Sequence, residues 1–138
     1  MDTGMAVWVV LCFHNERGRD LFCQAYADQP TRARAKFRAI LDVLRHQPVE
    51  GWSRENGFDL LTGKKYRRYH GLGKLRINTP DAAHRPLGFF GPRPRSFTLL
   101  VWATERDGEF DPPNVLETAL LRMQRVLADP RIADVCDL

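Results

Sequence analysis

The stretch that decides the fold is Lys74–Arg106, written out as KLRIN at 74–78, HRPLGFF at 84–90 and SFTLLVWATER at 96–106. Lys74–Asn78 alternates, with Leu75 and Ile77 facing one way and Lys74 and Arg76 the other, the two-residue period of a half-buried strand. Arg85–Phe90 forms a second strand, and its Pro86 implies an edge or a bulge. Ser96–Thr104 is almost wholly apolar, as befits a central strand covered on both faces. Gly91-Pro92-Arg93-Pro94-Arg95 turns the second strand into the third, so the segment folds as an antiparallel meander.

Upstream, Met5–Phe13 (MAVWVVLCF) is rich in β-branched and aromatic residues and predicts a largely buried strand. It is too short to span a bilayer, and neither a basic lead nor a small-residue cleavage site marks it as a signal peptide. Asp20–Asp28 predicts a short helix with Leu21, Phe22, Ala25 and Tyr26 on one face. Thr31–His46 predicts a longer one, with Thr31 as N-cap and Ala33, Phe37, Ile40, Leu41 and Leu44 turned inward. Pro48 stops it. Between Pro48 and Tyr69 the pattern loosens, and Trp52, Phe58, Leu60 and Leu61 are expected to plug the core beneath a long connection. Downstream, Pro113–Ala128 predicts a last helix, ended by Asp129-Pro130. The order β-α-α-β-β-β-α defines an α+β domain with helices covering a small, mainly antiparallel sheet. At 138 residues, without repeat or linker, residues 1–138 are expected to form one domain.

The charge is unevenly placed. From Lys64 to Arg106 there are ten basic residues against Asp81 and Glu105, a net +8, while the rest of the chain carries −4. A basic middle in a mildly acidic frame suits a phosphate-binding face. Lys64, Lys65, Arg67 and Arg68 interleave with Tyr66 and Tyr69, a pairing of cations and rings fit for single-stranded RNA, and Arg93 and Arg95 add charge at the turn. Metal chemistry is not expected: His14, His46, His70 and His84 form no HExxH, and Cys12, Cys23 and Cys136 form no CxxC. An odd cysteine count without paired spacing suggests free thiols and a cytoplasmic setting. Gly71-Leu72-Gly73-Lys74 matches only a fragment of a phosphate loop, so no nucleotide cofactor is expected.

Lys74, Arg76, His84, Arg85 and Arg106 thus fall on or next to neighbouring strands of the meander. Metal-free RNA cleavage needs a proton acceptor for the 2′-hydroxyl, cations on the crowded phosphorus and a proton donor for the leaving oxygen. Lysine, arginine and histidine fill these roles, with Lys74 or His84 as the proton-transfer group: lysine serves as base only where neighbouring cations or burial depress its pKa, and His84 is the more natural choice near neutral pH.

The runs Lys74-Leu75-Arg76-Ile77, His84-Arg85-Pro86-Leu87-Gly88-Phe89-Phe90 and Ser96-Phe97-Thr98-Leu99-Leu100, together with Arg34-Ala35-Lys36-Phe37, Trp52, Leu60-Leu61-Thr62-Gly63 and Ala103-Thr104-Glu105-Arg106, give the chain a family likeness. It resembles the RelE/ParE superfamily of type II toxins, in the HigB-like, phage-associated branch. The resemblance implies a compact RelE-like fold and a metal-independent endoribonuclease that cuts mRNA, commonly on the ribosome, and so inhibits translation. It also implies a cognate antitoxin that covers the basic face. Lys74, Arg76 and Arg85 match the family's basic strand residues, and Arg106 falls where a lysine often follows the last strand. Glu105-Arg106-Asp107 replaces the usual lysine-rich pair, and Phe110, a ring that cannot transfer protons, stands nearest to where members use a tyrosine or histidine, which leaves the general acid open and turns attention to His84. Within the same superfamily the alternatives are a non-catalytic binder, such as a ParE-like DNA gyrase inhibitor, and an inactive phage-derived relic.

Overall fold

A computed structural model describes residues 7–138. The chain runs β1 (Val9–Phe13), α1 (Leu21–Ala27), α2 (Thr31–Arg45), β2 (Phe58–Leu60), β3 (Leu72–Leu75), β4 (Ile77–Asn78), β5 (Ala83–Phe90), β6 (Ser96–Arg106), β7 (Glu109–Asp111), α3 (Val115–Ala128) and β8 (Ala133–Val135), with short 3-10 turns between them. It is an α+β fold. Met5 and Ala6 of the expected first strand lie outside the described residues.

The sheet is larger and more mixed than expected. Among the described residues its eight strands follow the order β2-β3-β5-β6-β1-β8, with β4 also on β5 and β7 also on β6. β1 runs parallel to β6, Val9 opposite Ser96 and Cys12 opposite Leu99. All the other pairings are antiparallel. The mixture follows from connectivity: β1 and β6 are joined by a long connection through α1, α2 and β2–β5, long enough to return the chain for a parallel pairing, whereas the tight turns of the meander permit only antiparallel ones.

Both faces of the sheet are covered, which explains the apolar run of β6. On one face Phe22, Phe37, Leu41, Leu44 and Trp52 pack from α1, α2 and the following turn onto Leu75, Ile77, Phe97, Leu99 and Trp102. On the other, Val115, Ala119 and Val126 of α3 pack onto Leu11, Phe13, Leu72, Leu87 and Leu100. Each fully buried Phe or Leu contributes about 1.5–3 kcal/mol. α1 starts at Asp20, whose carboxylate accepts from the Cys23 N–H at 2.8 Å. Thr31 is the first residue of α2 rather than its cap; Pro30 holds the cap position, and no side chain caps that end.

The strand expected at 74–78 is broken at Arg76, whose N–H leaves the ladder for the Gly57 carbonyl at 2.8 Å. The break falls beside Pro86: between the Lys74–Leu87 and Ile77–His84 pairs the register sets Leu75 opposite Pro86 and Arg76 opposite Arg85. A proline there has no N–H to offer the ladder. The irregularity in β5 comes one residue later, between Leu87 and Gly88. A Cβ on Gly88 would strike the Thr98 carbonyl oxygen and the Phe97 ring. Gly88→Ala is therefore expected to cost about 1–3 kcal/mol, read as a lowered urea midpoint; an unchanged midpoint would show that the bulge yields freely.

Two of the three cysteines are not free thiols. Cys12 on β1 and Cys136 just past β8 form a disulfide, and Cys23 stays a buried thiol. Among the described residues, no helix is long and apolar enough to cross a membrane.

Candidate functional site

Lys74 on β3 lies opposite Leu87, and Arg85 on β5 lies opposite Ala103. Glu105 follows two residues later on β6, opposite Ala83. This register sends all three side chains to the face that α3 covers. Lys74 Nζ donates to Glu105 Oε1 at 3.3 Å, and Arg85 Nε donates to the same oxygen at 2.9 Å. The side chains of Lys74, Arg85 and Glu105 are 15%, 9% and 16% exposed, so the cluster sits just under the surface. Arg85 Nη1 also donates to Asn78 Oδ1 at 3.0 Å and to the His84 carbonyl at 2.8 Å. Phe110 on β7 walls the cluster, with Lys74 Nζ 5.4 Å from its ring centre.

The electrostatics favour an ionised Glu105. Burial alone would raise its pKa, but the charges and hydrogen bonds of Lys74 and Arg85 outweigh burial and hold the carboxyl below its ordinary value. The trio keeps one uncompensated positive charge.

The other expected site residues are dispersed. Arg76 turns to Asp59, with Nε 3.6 Å from Oδ2. Neighbouring strand residues point to opposite faces, and His84 accordingly lies on the far side of the sheet from Arg85, 4% exposed. Its Nδ1 accepts the Trp102 Nε1–H at 3.1 Å, which places the ring in the core with α1 and α2. Burial and the adjacent Arg85 charge lower its pKa, so the imidazole is neutral near pH 7. It does not join the cluster as a proton-transfer group. Arg106 is exposed at the end of β6, opposite Glu109.

The basic turn at 64–69 flanks the site. Lys65 Nζ donates to the Gly108 carbonyl at 2.8 Å, and Tyr66 packs against Phe110 with ring centres 6.2 Å apart. Arg68 pairs with Glu117 at 3.0 Å, and Tyr69 donates to that carboxylate at 2.9 Å. Lys64 and Arg67 are exposed. Arg93 and Arg95 lie in the β5–β6 turn, nine strand residues from Glu105, which is roughly 30 Å along β6. They belong to the other end of the sheet, where Arg95 lies over the Trp8 ring.

Among the described residues, two groups of side chains bring metal-ligand atoms within 4.8 Å of one another: Cys12, Asp20 and Cys23, and His14, Asp20 and Asp137. Neither includes a residue of the cationic cluster, and Cys12 is committed to its disulfide.

Glu105 is the functional candidate that sequence reasoning passed over. Its signal is not local: the β5–β6 register sets Ala103 opposite Arg85, and only then does Glu105, two residues on, fall on the same face. No protein-family model matches the chain, and no curated protein matches it.

Proposed function

We propose that this domain is a toxin of the RelE/ParE type with a RelE-like fold, and that it cleaves RNA without a metal through the Lys74–Glu105–Arg85 cluster. The convergence of Lys74 Nζ and Arg85 Nε on one Glu105 oxygen carries this reading. Glu105 accepts the 2′-hydroxyl proton. Arg85, whose Nη2 is not used in the bonds to Glu105, Asn78 and His84, holds the phosphate. The protonated Lys74 donates to the leaving 5′-oxygen, and a proton returned across the 3.3 Å gap from Glu105 to Lys74 resets the site. Lys64, Arg67 and Arg106 guide the strand by charge, and Tyr66 offers a ring to a base. The partners of this reading are mRNA, with the ribosome where the message is read, and an antitoxin that covers the basic face.

A second reading is favoured by the ion pairs themselves. Arg85 and Lys74 are engaged by Glu105, and Arg76 by Asp59, as in a domain that only binds, such as a gyrase inhibitor or an inactive relic. Purified protein mixed with single-stranded RNA in a chelator separates the two. Cleavage is expected to leave 2′,3′-cyclic phosphate ends and to spare RNA lacking the 2′-hydroxyl at the cut. Arg85→Ala is expected to lower the rate about 100-fold or more while the circular dichroism spectrum is retained. Intact RNA together with inhibited gyrase supercoiling would establish the binder instead.

A further inference from the structure

On the side of the molecule away from the cationic cluster, a cleft of about 690 Å³ opens between α2 and the β1–β8 edge. Its walls include Trp8, Val135 and Cys136, and α2 lays Arg38, Asp42 and Arg45 along it. These three positions are four and three residues apart, one stripe of a helix. Cys136 is half-buried at the cleft, whereas its partner Cys12 is wholly buried. Cys136 is therefore the more accessible end of the disulfide, and it lines the same cleft as two arginines and an aspartate.

We propose that this cleft is a thiol-exchange site, in which a tripeptide thiol of the glutathione type docks along α2 and reversibly opens the Cys12–Cys136 bond by attack at Cys136. Such a thiol carries two carboxylates and one ammonium, the complement of Arg38, Arg45 and Asp42. Its thiolate forms a bond to Cys136 Sγ while the Cys12–Cys136 bond breaks, and the electron pair leaves on Cys12 Sγ. Cys23 Sγ, 4.0 Å from Cys12 Sγ, donates a hydrogen bond to the departing sulfur. A second thiolate attacks the ligand sulfur of the mixed disulfide and releases Cys136 as a thiolate. Each cysteine thiolate then takes a proton from solvent. Two thiols are oxidised to one external disulfide as the protein disulfide is reduced to two thiols.

Cys23 does not compete for Cys12. Burial, followed by the hydrogen bond and charge of Asp20, pushes its thiol up to about 12, so it persists as S–H while the core is packed. Opening the bond removes the covalent link between β1 and the chain end beyond β8, leaving β8 held by its three pairs with β1.

The test uses the full chain, purified without reductant and exposed to glutathione, with samples quenched by alkylation and mapped by peptide mass. The expected result is a mixed disulfide on Cys136 and the appearance of free Cys12. Arg38→Gln is expected to slow the glutathione reaction at least about threefold and to leave the rate with uncharged mercaptoethanol unchanged. An adduct on Cys12 or Cys23 instead overturns the proposal. So do equal effects of Arg38→Gln on both thiols, no effect on either, and a purified chain with three free thiols after mild oxidation. Arg45→Gln gives the same contrast from the other guanidinium and guards against a folding defect in the first variant.

Discussion

A Glu105→Gln variant is expected to cleave RNA about 10²–10⁴-fold more slowly than the native chain and to bind it at least as tightly. The two effects have opposite signs because the carboxylate has two roles. As the proton acceptor for the 2′-hydroxyl it is required for the chemistry. As the counter-ion of Lys74 and Arg85 it weakens their hold on phosphate. The amide keeps the shape and raises the cluster by one positive charge, so the phosphate meets two uncompensated cations. Single-turnover rates against RNA concentration read both effects at once. Cleavage and binding falling together would make Glu105 a structural strut, and an unchanged rate would remove it from the chemistry. Arg85→Ala, by contrast, is expected to weaken both, since it removes the phosphate's partner and leaves Lys74 alone beside Glu105.

The same site sets a pH dependence. Lys74 and Arg85 hold the Glu105 carboxyl below its ordinary value against the opposing effect of burial. The acid limb of the cleavage profile is therefore expected below the ordinary glutamate range. The stability that the trio supplies is fully present above the unfolded-state pKa and is lost as pH falls through the depressed folded value. His84 is buried and neutral near pH 7, so no inflection is expected at the ordinary histidine pKa. An inflection there that disappeared in a His84→Asn variant would return the proton-transfer role to His84.

Most of the meander was legible because its strands carry strong alternation and clear turns. The central place of β6 followed from its apolar run, and the inward face of α2 from its spacing. What escaped notice had local or long-range causes. Strands of three residues, such as β2 and β8, are shorter than any window in which alternation declares itself. The β6–β7 hairpin did have a signal, Asp107-Gly108, whose φ values of 52° and 78° suit the turn that this dipeptide favours. The grouping of His84 with Arg85 overlooked a rule available from the sequence, that adjacent strand residues face opposite ways. In the sequence Glu105 reads as a departure from a pattern and not as a neighbour of Arg85, because only the register of β5 on β6 brings them together. The link between Cys12 and Cys136 has no local signature: one lies in β1, the other past the last strand, and only the β1–β8 pairing places them side by side.

That link should dominate the energetics of the chain. Its cysteines are separated by 124 residues, and closing so long a loop removes conformational entropy from the unfolded state worth about 5 kcal/mol on the chain-entropy model. Few single contacts reach this size; burying one core phenylalanine supplies about half as much. The native side loses little on reduction, because Cys12 remains packed in the core and β8 keeps its pairs with β1. Urea unfolding of the native chain with and without reductant is therefore expected to show a midpoint lower by about 2–3 M in the reduced form, at an m-value of about 2 kcal/mol/M. Cys136→Ser is expected to reproduce the reduced value and to make it insensitive to reductant. The m-value of the reduced form should be the larger, since an unlinked chain exposes more surface on unfolding. Coincident oxidised and reduced curves would mean that the bond does not constrain the unfolded chain, and opening it by thiol exchange would then leave stability unchanged.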